Sequence, residues 1–167
     1  MRGQDQDQAP LADATAFRFA VIVSRFNETV TGSLRDAAAA ALTEAGASIV
    51  EVLSVPGAFE IPQAARAAAA SGRFDAIVCL GCIIRGETPH FEYLASAVAH
   101  GITDAAGDTG VPMAFGVLTT DTLEQATARS GHGPDNKGRE AAAAAIEMAA
   151  LYRSLSGPPN RPSGVRA

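Results

Sequence analysis

Ala76-Ile77-Val78-Cys79-Leu80-Gly81-Cys82-Ile83-Ile84 is an unbroken apolar run, and Arg85-Gly86-Glu87-Thr88-Pro89-His90 follows it directly. Its length suits a strand. Because polar residues do not alternate with apolar ones, it reads as a strand covered on both faces. That reading settles its C-x-x-C. Residues three apart on a strand point to opposite sides, so the sulfurs of Cys79 and Cys82 cannot meet, and there is no second cysteine pair to complete four zinc ligands. The two cysteines read as small buried hydrophobes, and neither a redox pair nor a metal is expected.

Working outward, Phe17 to Ser24, Ser48 to Ser54 and Val111 to Leu118 are the other strand candidates. Helical patterns occupy Thr31 to Ala45, Pro62 to Ala70, Pro89 to Ala106, Thr122 to Ala128 and Asn136 to Leu155, with Asp121 three residues before Glu124 as one start signal. Strands and helices therefore alternate. The expected fold is α/β: a three-layer, flavodoxin-like sandwich in which a four-stranded parallel sheet with right-handed crossovers is flanked by helices. Ligands on such sheets gather at the carboxyl ends of the strands. The alanine blocks Ala67 to Ala70 and Ala141 to Ala145 lie inside helical patterns, where high propensity and close packing account for them.

A chain of 167 residues is long enough for one such domain, expected over residues 16–155. The Gln/Asp-rich opening and the Pro/Gly/Ser-rich close lack apolar periodicity, so residues 1–15 and 156–167 are expected as flexible tails. The formal net charge is −5, from 13 Lys plus Arg against 18 Asp plus Glu, which provides no basic field for nucleic acid or an anionic membrane. An anionic ligand must be held by a local site. No apolar run approaches the roughly 20 residues that cross a bilayer, and Met1 to Pro10 lacks the apolar stretch of a secretory signal; a cytoplasmic location is expected.

The segment after the buried run carries the most chemistry. Thr88 is a favoured N-cap, Pro89 fits the first helical turn and Gly86 lets the backbone approach a ligand, so free N–H groups and the helix dipole converge as they do in anion sites. The same residues can also simply start a helix. A P-loop reading fails, because Glu87 stands where the lysine of that motif belongs and Cys82 to Ile84 continue the strand. His90 falls on the first helical turn, where the dipole favours a neutral ring able to accept a proton, although a lone histidine is more often structural.

Other candidates sit after the remaining strands. Phe26, beside Asn27 in Ser24-Arg25-Phe26-Asn27, can stack on a flat heterocycle or pack internally. Glu60, in Val55-Pro56-Gly57-Ala58-Phe59-Glu60-Ile61-Pro62, can accept hydrogen bonds from sugar hydroxyls or be an ordinary carboxylate at a helix start. Phe115 lies in the fourth strand region. Arg129, Lys137 and Arg139 flank the Ser130-to-Asp135 loop, as solvent contacts or as the fixed cations that a dianionic substrate requires.

Taken together, SRFN (Ser24 to Asn27), VPGAFEIP (Val55 to Pro62), GCIIRGETPHFEY (Gly81 to Tyr93), PMAFGVLTT (Pro112 to Thr120), EQATAR (Glu124 to Arg129) and NKGREAA (Asn136 to Ala142) resemble, in order and spacing, the signature blocks of the lumazine synthase family. The likeness runs from Phe17 to Arg153. It implies the condensation of 5-amino-6-(D-ribitylamino)uracil with 3,4-dihydroxy-2-butanone 4-phosphate to 6,7-dimethyl-8-ribityllumazine, a cofactor-free transferase step of riboflavin biosynthesis. It implies that Phe26 stacks on the pyrimidine, that Ala58, Phe59 and Glu60 hold the ribityl chain, and that Ile83 and Ile84 offer backbone groups to the heterocycle. Gly86, Glu87 and Thr88 would cradle the phosphate, His90 would be the acid/base, and Phe115, Arg129 and Lys137 would come from a neighbouring subunit, with Arg129 neutralising the phosphate.

One departure concerns the loop after Arg129, where many members of the family carry a lysine at the position of Gly133. Weaker phosphate affinity or partial replacement by His132 follows as an expectation. The implied assembly is a homo-oligomer, left open between a pentamer and an icosahedral shell of pentamers, with riboflavin synthase as the protein partner the resemblance implies. A non-catalytic flavin- or lumazine-binding shell protein is the competing function; intact Thr88, His90 and Arg129 argue against it.

Overall fold

The computed structural model describes residues 9–157; the outer parts of both expected tails, 1–8 and 158–167, lie outside the described residues. Strands β1 (Arg18–Ser24), β2 (Ile49–Val55), β3 (Ala76–Ile84) and β4 (Met113–Thr120) form one parallel sheet in the order β2-β1-β3-β4. Helices α1 (Glu28–Glu44) and α5 (Lys137–Leu155) cover one face, and α2 (Ile61–Ala70) and α3 (His90–Thr109) cover the other. A short α4 (Leu123–Arg129) follows β4. The α/β three-layer expectation holds.

β3 shows why. Ala76, Val78, Leu80 and Cys82 pack with residues of α1 and α5, whereas Ile77, Cys79 and Ile83 pack with residues of α2 and α3, as the two-residue period of a strand dictates. The cysteines thus lie in different cores on opposite faces of the sheet. Both are free, and burial pushes the Cys79 thiol up to about 12 and the Cys82 thiol up to about 11, so neither is a ready thiolate.

Coverage is not uniform from strand to strand. β2 is an edge strand, and Ile49 and Val52 are 48% and 41% exposed, because only one neighbouring strand and part of the helical layers reach it. At the amino end, Leu11 and Ala14 pack against the core and Ala14 N–H donates to the Ala45 carbonyl at 2.9 Å, so packed chain extends into the segment expected as tail. Small residues set the spacing of the helical layer. A Cβ on Gly138 would stand 2.0 Å from the Leu34 carbonyl oxygen, so α5 lies directly on the backbone of α1. Among the described residues, no helix is long and apolar enough to cross a membrane.

Candidate active site

Parallel strands place all their following turns at one edge, and hydrogen bonds join these turns in the same order as the strands. The turn after β1 is held to β2 by Arg25 N–H to the Val55 carbonyl (2.8 Å) and by Phe26 N–H to the Pro56 carbonyl (3.2 Å). Towards β3, Asn27 Nδ2 donates to the Cys82 carbonyl at 3.1 Å. Between β3 and β4, Arg85 N–H donates to the Thr120 carbonyl at 2.8 Å.

The crevice at this edge comes from unequal strand lengths. Pairing of β3 with β1 stops at Val23↔Leu80, while pairing with β4 continues to Ile84↔Thr120. Past Leu80, the β1-facing backbone of β3 therefore leaves the ladder, with the Cys82 carbonyl taken by Asn27. This gap lies where the strand order reverses, the usual place for a ligand on such a sheet. Ile83 and Ile84 border it, which suits the backbone role expected of them. Phe26 stands beside it and is 70% exposed, so it does not pack into the core of its own chain.

On the β2 side, Ala58 is buried and Phe59 is exposed within a 3-10 turn, Ala58–Glu60, that the sequence patterns did not signal. Glu60 Oε2 accepts from Gly57 N–H at 2.9 Å, which fixes the turn and leaves Oε1 without a partner among the described residues. Gly81 lets this turn sit close to the sheet: a Cβ on it would lie 2.9 Å from Ile61 Cδ1, so the Ile61 side chain would have to shift to admit a larger residue.

The start of α3 differs from expectation in one detail. Thr88 is not the N-cap; Pro89 occupies that position (φ −68°, ψ 4°) and His90 is the first helical residue. Proline fixes φ but not ψ, and a ψ of 4° leaves Pro89 outside helical geometry, so the boundary falls one residue later. The cap residue, Pro89, offers no side-chain acceptor, so no capping bond of that kind covers the first turn of α3, and Tyr93 N–H donates to the Pro89 carbonyl at 3.4 Å. Gly86, Glu87, Thr88 and His90 are all exposed, and the position of a Cβ on Gly86 faces open space. An anion can reach this turn. α4 shows a similar shift: Thr122, not Asp121, is its cap, accepting from Gln125 N–H at 3.2 Å.

Phe115, Arg129 and Lys137 lie elsewhere. They line a cavity of about 300 Å³ between β4 and α5, together with Thr119, Thr120 and Glu140. None of Phe26, Ala58, Phe59, Glu60, Ile83, Ile84, Gly86, Glu87, Thr88 and His90 lines it. Arg129 Nη1 donates to the Gln125 carbonyl of its own helix at 2.9 Å, and Lys137 pairs with Glu140 one turn along α5. Arg139 is spent on structure, donating to Glu44 of α1 at 2.8 and 3.2 Å. His132 lines a separate groove between α1 and the α4–α5 loop rather than the cavity of Arg129. Gly133 has φ 129°, a conformation that a lysine side chain would strain.

Two residues at the edge were not assigned roles from the sequence. Asn27 is the one described non-glycine residue with positive φ (60°), and its carbonyl accepts from Val30 and Thr31 N–H, which starts α1 earlier than expected. Asparagine after a strand was the available signal, since its short amide tolerates this conformation. Arg85 binds Asp121 and Glu92 and lies over Phe91. Beside it, the Glu92 carboxyl is held below the usual carboxylate range, chiefly by the hydrogen bond from Arg85.

A parallel sheet of this order, layered by helices on both faces and presenting its polar turns at a switch-point crevice, defines a flavodoxin-like α/β protein with a ligand edge. The sequence profile of the 6,7-dimethyl-8-ribityllumazine synthase family matches residues 16–153. A protein of Syntrophus aciditrophicus (strain SB) named 6,7-dimethyl-8-ribityllumazine synthase is 52% identical over 144 residues, which cover 85% of this chain and 94% of that protein. One of the same name from Salinibacter ruber (strain DSM 13855 / M31) is 52% identical over 142 residues, covering 84% and 91% respectively. The chain belongs to the 6,7-dimethyl-8-ribityllumazine synthase family.

Proposed function

We propose that this chain condenses 5-amino-6-(D-ribitylamino)uracil with 3,4-dihydroxy-2-butanone 4-phosphate, giving 6,7-dimethyl-8-ribityllumazine in riboflavin biosynthesis. The observation that carries the proposal is the switch-point crevice, where an exposed Phe26 ring, the open backbone of β3 and the uncapped start of α3 with His90 occupy one edge. Phe26 stacks on the pyrimidine, Ile83 and Ile84 give it backbone partners, and Ala58, Phe59 and Glu60 hold the ribityl hydroxyls. Gly86, Glu87 and Thr88 receive the phosphate.

The 5-amino group attacks the ketone and water leaves as the imine forms. Phosphate is then eliminated, and the ribitylamino nitrogen closes the ring with loss of a second water. His90 moves the protons, and Arg129 stabilises the departing phosphate. Most of the acceleration comes from holding two reactants in register, a role for which a fixed edge is suited.

Arg129, Lys137 and Phe115 lie in a cavity separate from that edge, which supports a site completed by a second copy of the chain. Ile49 and Val52 on the β2 edge and Met148 and Leu151 on α5 expose apolar surface of the kind that subunit contacts cover. The proposed active unit is a cytoplasmic homo-oligomer, a pentamer or a shell of pentamers. Mixing the two substrates and following lumazine fluorescence tests the activity. A rate no higher than the uncatalysed background, and equal to that of His90→Ala, would leave a non-catalytic binding shell as the function.

A further inference from the structure

The turn between β3 and α3 has few bonds of its own: no side chain caps α3, and Gly86, Glu87 and Thr88 are exposed. Arg85 supplies what the turn lacks. Its backbone N–H, bound to Thr120, sets where the turn begins. Its Nε donates to Asp121 Oδ1 at 2.7 Å, its Nη1 donates to Glu92, and its guanidinium carbon lies 4.4 Å from the centre of the Phe91 ring. Phe91 and Glu92 directly follow His90, so one planar group ties the first turn of α3 to the end of β4. Asp121 is a firm anchor, since its N–H donates to Gln125 Oε1 at 2.8 Å within the capped start of α4.

We propose that Arg85 is a positioning residue for the phosphate turn. With its guanidinium occupied inside the chain, it does not bind the substrate; it fixes Gly86–Thr88 and His90 where the butanone phosphate meets them. This rests on the site reading given above. A lysine cannot substitute, because an ammonium lacks the in-plane fork for two carboxylates and the flat face for a ring.

The test compares Arg85→Lys and Arg85→Met in the assembled protein. In both, KM for the butanone phosphate rises on the order of tenfold, while KM for the pyrimidine, held by the turns after β1 and β2 and by the Ile83 and Ile84 backbone that pairs with β4, stays nearly unchanged. Retained charge gives Arg85→Lys no advantage. Asp121→Asn acts in the same direction but more weakly, and adds little to Arg85→Met because both remove one contact. An unchanged KM for the phosphate substrate, or equal rises for both substrates in a folded oligomer, overturns the proposal. If the Arg85 variants do not assemble, Glu92→Gln and Asp121→Asn are judged by the same split. If the unsubstituted chain forms no lumazine, the enzymatic reading fails separately, and calorimetric affinity for inorganic phosphate decides: weaker binding in the Arg85 variants supports the clamp, equal or absent binding sinks it.

Discussion

The edge formed by the turns after β1, β2 and β3 and the cavity between β4 and α5 carry complementary parts of the proposed chemistry, yet they are held in different ways. At the edge, each neighbouring pair of turns is bonded across strands, through Phe26 to Pro56, Asn27 to Cys82 and Arg85 to Thr120. In the cavity, Arg129 and Lys137 bond only to groups within one turn of their own helices among the described residues. The surface for a flat ring is thus finished when one chain folds. Neither long cationic side chain is tied to another element of the chain, and on the proposed reading an anion or a neighbouring chain is what orders them.

The largest test of this contrast is Arg129→Ala. It should lower kcat/KM on the order of a hundredfold or more, while light scattering shows the assembly intact. Mixing His90→Ala with Arg129→Ala subunits sharpens it: if one site draws on two chains, random pairing restores roughly a quarter of the sites, whereas a site built within one chain stays inactive in every mixture. Phe26→Ala comes next. The ring is mostly exposed, so thermal stability should hardly change, while KM for the pyrimidine rises about tenfold from lost stacking.

Asn27→Ala tests the stitching itself. It removes the bond to the Cys82 carbonyl and puts alanine at φ 60°, with an expected loss of about 1–2 kcal/mol in denaturant unfolding. The smallest effect lies at the opposite end of β1, far from either part of the site. Burial pushes the Asp75 carboxyl up, but hydrogen bonds from the Arg18 side chain and backbone outweigh this and hold it below its ordinary 3.8. A lowered folded pKa means that the stabilisation is present above 3.8 and disappears as the pH falls through the folded value. Because the pair is partly exposed and screened, the loss should be about 0.5–1 kcal/mol, seen as a steeper acid decline in the unfolding midpoint of the parent than of Asp75→Asn.

Much of the fold was readable because its signals are local. The apolar run of β3, the alanine-rich periodicity of α5 and the alternation of elements each follow from a short window of side chains, and their boundaries fall within a few residues of those observed. Capping was less legible. Thr88, Pro89, Asp121 and Thr122 are all acceptable around a helix start, and which one serves depends on where the chain leaves its strand. Asn27 and Arg85 were passed over for a related reason: their partners, Cys82 and Asp121, are 55 and 36 residues away in sequence.

The order of apolar and polar residues determined by itself that β3 would be buried, that Cys79 and Cys82 would face apart, and that Phe26, Glu60 and His90 would each follow a strand. Only the tertiary structure decided that β3 outruns β1 at the ligand edge, that Arg85 pairs with Asp121 and Glu92, and that Arg129 and Lys137 line a cavity that His90 does not reach. Periodicity is a property of neighbouring side chains, whereas register and the meeting of distant turns arise only when the whole sheet is packed between its helices.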